Sequence, residues 1–456
     1  MLHVPFPKLT AAETLTRLPA IDWQQVRVQP ASLVSARSLV LEMRGHRAVW
    51  RSEAWGGKRL TTIDAATGRL IGNAGHDEAA AIAASFGDEA VIGLGALHND
   101  QWTVAGRYDP YRPLWKVELA GGNGRVLYVS STTGAVVLDT DRRERFWNWL
   151  GSVPHWIYPT VLRQNQPVWR QVVLWVSGPA IVVAVTGMWI GILRTRPGRR
   201  RYGKRRMTPY RGWMHWHHVA GLAGGVFLTL WIFSGWLSVD PGRLFAREGV
   251  GDTSRQAYAT APTTSIDLRR LAMAAGGAVR VELLTAANAR SAVVWHRDGA
   301  SRHLDLAHFD TLALPTAEIV AAAAKVIAGA RLVGVDRLTA PDAYWYDPDG
   351  DLQLPILRLR FDEPAATWLH IDPATGVILG EVDARRRLYR WLFDLFHRWD
   401  LNVLAGNPRV VLVWLLSLAG LVTSVSAVRL GWQRLVRRRA WPEKAPTGSA
   451  VATGSD

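Results

Sequence analysis

Three stretches of the chain carry no charged side chain over the length of a membrane span. Val172 to Leu193 is 22 residues long, Val219 to Val239 is 21, and Val410 to Val428 is 19. A bilayer core of about 30 Å takes roughly 20 apolar residues as a helix, and buried helices of soluble proteins are usually shorter. The pattern predicts membrane helices over 168–193, 213–239 and 408–430. Elsewhere the period changes. Leu127–Leu138 and Leu369–Leu379 alternate apolar and polar residues, as half-buried strands do. Thr-Gly pairs at 67–68, 133–134 and 375–376 mark tight turns, because glycine supplies the positive φ such turns need.

The strand-bearing regions match each other. Ala48-Val49-Trp50-Arg51 is similar to Val293-Val294-Trp295-His296, and the helical run Asp77–Phe86 to Thr316–Ile327. Arg112–Leu119 is similar to Leu354–Phe361, Leu127–Leu138 to Leu369–Leu379, and Arg145–Leu150 to Leu388–Phe393. His155 and His397 stand at the same distance beyond Trp149 and Trp391, and a span begins shortly after each. The unit reads as strands, helix, strands, interfacial helix and span, twice over. Residues 61–72 share the turn form, so each block is expected to hold two small α/β modules. The fold class expected is an α-helical membrane bundle carrying two duplicated α+β blocks, 1–140 and 240–384. Interfacial amphipathic helices follow them at 141–167 and 385–407.

Charge orients this arrangement. The chain has 456 residues, enough for two to three domains, and a net charge of +16. Such an excess first suggests nucleic acid. However, the loop 194–212 holds nine basic residues (Arg194, Arg196, Arg199, Arg200, Arg201, Lys204, Arg205, Arg206 and Arg211) and no acidic one. The segment from Arg429 to the end adds a net +4, so 13 of the 16 charges lie in two short segments beside spans. That distribution is topology information and removes nucleic acid as a partner. The positive-inside rule puts the loop and the tail 431–456 in the cytoplasm. Both blocks then lie outside, yet Met1–Ala20 has no apolar core of signal-peptide length. The second unit is preceded by a span, so a further span is expected ahead of the first, four in all. There is no cysteine, which removes disulfides, iron–sulfur clusters and covalent haem attachment.

Two motifs carry a family resemblance. One is Trp368-Leu369-His370-Ile371-Asp372-Pro373-Ala374-Thr375-Gly376, followed by a basic stretch, Trp391-Leu392, His397 and a span. The other is the span that opens with His217-His218-Val219-Ala220-Gly221-Leu222 and closes with Ser234-Gly235. Together they resemble PepSY-associated transmembrane proteins, over residues 40–432, with the family's first span lacking here. The resemblance implies PepSY-like blocks in the periplasm of a bacterial inner-membrane protein, and one or two non-covalent haem b groups. It further implies reduction of a ferric siderophore or other periplasmic iron chelate by electrons from a cytoplasmic or quinol donor. Nothing in the chain resembles a fused flavin domain.

The histidines divide accordingly. His3, His46, His76, His98, His296, His303, His308 and His370 lie in the blocks and read as solvated or core-satisfied. His155, His215, His217, His218 and His397 border lipid, where an imidazole is costly unless its nitrogens find partners. They are the candidate axial ligands of haem iron. His155 and His397 occupy equivalent places and form one candidate pair; the competing reading is a belt of interfacial histidine and tryptophan anchors. Adjacent helix positions point about 100° apart, so His215, His217 and His218 are rivals of which only one faces the bundle. The resemblance implies His217, four residues before Gly221, and by the duplication its partner lies on the further span expected ahead of the first. Gly221, Gly224 and Gly225 leave room for a macrocycle or a neighbouring helix. His217 and His397 lie roughly 30 Å apart, at opposite ends of spans, which predicts one haem near each face. Arg142, Arg143, Arg385, Arg386 and Arg387 could pair with propionates or form a solvated helix face. Asp347, Asp349 and Asp351 read as turn residues rather than a Ca²⁺ loop. No hydrolase, zinc-protease, nucleotide-loop or dinucleotide motif is present. The alternative function is a binding or regulatory protein whose blocks hold a periplasmic partner or peptidase and whose spans are anchors.

Overall fold

The computed structural model describes residues 4–30, 36–55, 60–202, 205–246, 249–260, 265–312, 314–347, 352–401, 404 and 406–439. Asp349 and Asp351 lie outside them. The chain divides into two compact units, one of Met1–Val173 with Gly242–Arg390, the other of Leu174–Pro241 with Trp391–Asp456.

The strands in chain order are β1 (Ala36–Arg44), β2 (Arg47–Ala54), β3 (Leu60–Asp64), β4 (Val91–Leu97), β5 (Leu114–Leu119), β6 (Val126–Ser130) and β7 (Val136–Thr140). The second unit adds a hairpin, β8 (Arg196–Tyr202) and β9 (Arg205–Met207). The first unit resumes with β10 (Arg280–Ala286), β11 (Ala289–Trp295), β12 (Ser301–Asp305), β13 (Arg331–Leu338), β14 (Ile356–Asp362), β15 (Trp368–Ile371) and β16 (Ile378–Val382). Two sheets have four strands each, ordered β4-β5-β6-β7 and β13-β14-β15-β16. The remaining six strands form one sheet, β12-β11-β10-β1-β2-β3. Each half of the sequence thus supplies three strands to a shared sheet and four to a sheet of its own, all antiparallel neighbours.

The register corrects one sequence match. The β1–β2 turn closes at Arg44↔Arg47 and the β10–β11 turn at Ala286↔Ala289. Counted from the turns, Trp50 corresponds to Ala292, not to Trp295. Trp50 faces Leu41 at the sheet centre, whereas Trp295 pairs with Arg280 at a strand end. Register is set by the turn, and the shared tryptophan was a coincidence of composition.

Strand alternation gives the six-stranded sheet two unlike faces. One carries Leu39, Leu41, Trp50, Val281, Leu283 and Val294, all buried in a core with Ile21 and Leu271. The Trp50 indole N–H donates to the Val28 carbonyl at 2.9 Å, so its polar edge is satisfied as well. The other face carries Glu42, Arg44, Arg51 and Arg280. Helix His76–Gly87 covers β4–β7, burying Ala79, Ile82, Ala83 and Phe86 against Val117, Leu119, Leu127 and Val129. Helix Thr316–Ala323 does the same for β13–β16, with Ile319 and Ala323 against Leu357, Leu359, Phe361 and Leu369. The Thr-Gly turns have their glycines at φ 71° (Gly68), 68° (Gly134) and 74° (Gly376).

The second unit contains two of the three helices long and apolar enough to cross a membrane, Gly212–Leu237 and Asn407–Val436, and most of the third, Gln166–Leu193. Their outward side chains are apolar, as with Trp175, Val183, Leu421 and Val428. The chain is therefore a mixed α/β protein with three membrane-length helices. A Cβ on Gly224 would stand 2.8 Å from that of Ala419, and one on Gly225 3.0 Å from Met188, so these glycines set the helix–helix approach. The last helix continues to Arg439, past the expected 430, because 431–439 is rich in good helix formers. The segments expected as single interfacial helices are broken. The first consists of Arg142–Leu150, Ser152–His155 and Thr160–Arg163, interrupted at Gly151 and by Pro159. The second runs as Ala384–Tyr389, a π-helical Arg390–Leu395 and Phe396–Arg398.

Candidate functional site

Two histidines of the second unit are held in the same way. His217 Nδ1 lies 3.1 Å from the Ser426 hydroxyl and 3.2 Å from the Thr423 carbonyl. Ser426, fully buried, donates its own proton to the Val422 carbonyl at 2.7 Å. Neither oxygen has a proton to offer, so Nδ1 carries the proton and Nε2 the lone pair. His397 Nδ1 lies 3.1 Å from the Ser234 hydroxyl, whose proton goes to the Leu230 carbonyl at 2.7 Å. A hydroxyl can donate to Nδ1 or accept from it, so this contact orients the His397 ring, whereas the Thr423 carbonyl also fixes the proton of His217. In each case a serine inside an apolar helix satisfies its hydroxyl on the preceding turn and then fixes an imidazole. Gly235 has its role here too: an added Cβ would meet His397 Cε1 at 3.4 Å, and Phe393 stacks on the ring from the other side at 5.0 Å.

These sites are well separated. His217 and Ser234 stand seventeen positions apart on helix Gly212–Leu237, about 25 Å at 1.5 Å per residue. His217 and His397 therefore occupy opposite ends of one helix and do not converge.

The expectation that only one of His217 and His218 faces the bundle is corrected. His218 turns to helix Gln166–Leu193, where its Nε2 donates to the Gly191 carbonyl at 2.9 Å, with Tyr210 edge-on at 5.2 Å. Helix Gly212–Leu237 has a neighbour on either side, so positions 100° apart both find one. The Nδ1 atoms of His218 and His215 are buried without a hydrogen-bond partner among the described residues. Beside Gly221, one turn on from His217, the space within 4 Å is open. His155 ends the short helix Ser152–His155 with its side chain exposed, and it belongs to the first unit while His397 belongs to the second.

Three of the arginines offered for propionates, Arg385, Arg386 and Arg387, have other partners in the first unit. Arg387 donates to the Ala366 and Val382 carbonyls and lies over Trp368 at 4.2 Å, Arg386 lies over Tyr389, and Arg385 donates to the Ala246 carbonyl.

The sequence reading missed a polar cluster in the second four-stranded sheet. Arg358, on β14, donates to Asp342 Oδ2 at 2.5 Å and Oδ1 at 3.0 Å, and its Nε donates to His370 Nε2 at 2.8 Å. His370 is fully buried against Trp345, its ring pushed down to about 4 by burial first and then by the Arg358 charge. Only its Nε2 is satisfied: Nδ1 is buried with no hydrogen-bond partner among the described residues, so the reading of a core-satisfied histidine holds for one ring nitrogen and not for the other. The signal for its partner was the alternation of β14, which places Arg358 opposite His370.

The residues fit haem ligation in one definite respect: His217 presents the tautomer with its lone pair on Nε2, a form that ligates a metal. Comparison of the chain with family models, curated proteins and solved structures finds no match.

Proposed function

We propose that the chain is an inner-membrane haem-b electron-transfer protein that delivers electrons to a periplasmic acceptor, a ferric siderophore or similar iron chelate. The observation that carries this reading is the repeated Ser–His pair, Ser426 with His217 and Ser234 with His397, at the two ends of one membrane-length helix. A pair of anchors needs no such matched serine partners. His217 and His397 would hold the haem iron, with His155 at the position of the first repeat that matches His397. Bound haem would supply one-electron chemistry. The two serines orient the rings, and the Thr423 carbonyl keeps His217 Nδ1 protonated, which raises the basicity of its Nε2. Charge in the 194–212 loop and the tail holds those segments in the cytoplasm and both strand-bearing blocks, PepSY-like and duplicated on this reading, in the periplasm. Ferric chelates suit as acceptors because hard oxygen ligands hold Fe³⁺ far better than Fe²⁺, so reduction releases the metal.

The test is the visible spectrum of detergent-purified protein from haem-replete cells. A Soret band with sharp reduced α and β bands, diminished in His217→Ala and in His397→Ala, is expected. A colourless wild-type protein overturns the proposal and leaves the binding-module reading.

A further inference from the structure

The charged face of the six-stranded sheet opens onto a cleft lined on its other side by Ile82, Ser85 and Phe86 of helix His76–Gly87. On the sheet side, Glu42 is almost fully buried and clamped between two guanidiniums. Arg280, its cross-strand partner, reaches one carboxylate oxygen through Nε at 2.9 Å and Nη2 at 2.8 Å. Arg51, from β2, contacts the other oxygen. Within the cleft wall two guanidiniums meet one carboxylate, and Glu282, beside Arg280 on the same sheet face, supplies a second one outside the wall. Arg51 Nε is buried with no hydrogen-bond partner among the described residues. Burial, and then repulsion from Arg280, push the Arg51 guanidinium down to about 9. Glu282, opposite Val40 on the same sheet face, is not part of the cleft wall, and burial pushes its carboxyl up. At the mouth, Arg17 lies over Phe86 at 5.4 Å and reaches Asp139 at 3.3 Å. The opposite wall is apolar, with Leu18, Ile82 and Phe86.

A desolvated guanidinium pair with an unmet buried donor, Arg51 Nε, beside apolar side chains is matched by an anion on an apolar body. We propose that this cleft binds a small organic monoanion, its carboxylate against Arg51 and Arg280 and its hydrocarbon part against Ile82 and Phe86. The inference is independent of haem.

The experiment titrates the full chain in nanodiscs with 2-naphthoate, and with neutral 2-naphthamide as control, by calorimetry against empty nanodiscs. Naphthoate is expected to bind at one site per chain, about tenfold or more tighter than naphthamide, as an ionic hydrogen bond predicts. Glu42→Gln removes the resident carboxylate and is expected to tighten naphthoate by about tenfold, whereas Ile82→Trp fills the cleft and is expected to abolish binding, with circular dichroism checking that the variant is folded. If either variant fails to fold, Arg17→Gln at the cleft mouth is expected to weaken naphthoate severalfold. No naphthoate binding, equal affinity for the two probes, or an affinity indifferent to the folded variants overturns the proposal.

Discussion

The two four-stranded sheets place an aspartate at the same point and close it with opposite chemistry. In the first, Asp100 Oδ1 accepts the amide N–H groups of Trp102 and Thr103, and Oδ2 accepts the Tyr128 phenol at 2.6 Å. In the second, Asp342 Oδ1 accepts the amides of Tyr344 and Trp345, and Arg358 takes the remaining capacity while also binding His370. Tyr128 and His370 hold corresponding places on β6 and β15. The loop needs only an acceptor to fold its turn, so the strand residue opposite is free to be neutral or charged. A neutral phenol makes the first closure indifferent to mild acid, whereas the guanidinium–imidazole closure makes the second depend on pH.

Arg358→Met should cut deepest into this contrast. It strips a cation from Asp342 and His370 together and should cost about 2–3 kcal/mol, below the range for a fully enclosed pair because Asp342 remains partly exposed. Chemical denaturation of the full chain reads it, and a loss under 0.5 kcal/mol, roughly what a surface substitution costs, would show the cluster to be decorative. Acid comes next. His370 titrates lower folded than its ordinary value of about 6.5. Its contribution is therefore complete above about pH 6.5 and is lost as pH falls through about 4. Asp342 works in the same direction: although burial opposes it, hydrogen bonds from Arg358 and two amides hold its carboxyl below the usual range. Between pH 7 and 4.5 the amides of β15 should lose hydrogen-exchange protection more than those of β6, and His370→Gln should flatten the difference. Tyr128→Phe is the matching cut in the first sheet. Without the phenol, Asp100 loses a short hydrogen bond, about 1–2 kcal/mol, with no new pH dependence. The smallest effect expected is Gly376→Ala, about 1 kcal/mol from its left-handed backbone. Gly134→Ala should exceed it, since the added Cβ would also press on buried Arg44 at 2.8 Å. Melting curves of the two variants order them.

Local features were the legible ones. The spans announced themselves by a lack of charge and the turns by Thr-Gly, because lipid and positive φ each admit few residue types. What stayed hidden was non-local. Nothing along the chain says that β1 pairs with β10, since Val40 and Glu282 meet only after the intervening chain has folded back. The same holds at the histidines. Their position beside lipid was readable, but Ser426 as the partner of His217 was not, because a lone serine in an apolar helix gives no address for its second hydrogen bond. Four turns share the Asp or Ser opening of Asp64, Ser130, Asp305 and Asp372, yet only three show glycine. At the fourth, Phe309 takes φ 66° itself and packs against the core, so tertiary contact overrode backbone preference.

The pairing of β1 with β10 also constrains the order of events during synthesis. Two membrane-length helices separate these strands in the sequence. Until Arg280–Ala286 emerges, β1 presents an unpaired edge, and three strands that will form half of a sheet must wait with an unpaired flank. Long-range pairing is slow because its loop entropy is lost before any contact compensates. Assembly of the first unit therefore trails synthesis of the first two membrane-length helices, and the nascent protein passes through a stage at which those helices are complete while the six-stranded sheet is not.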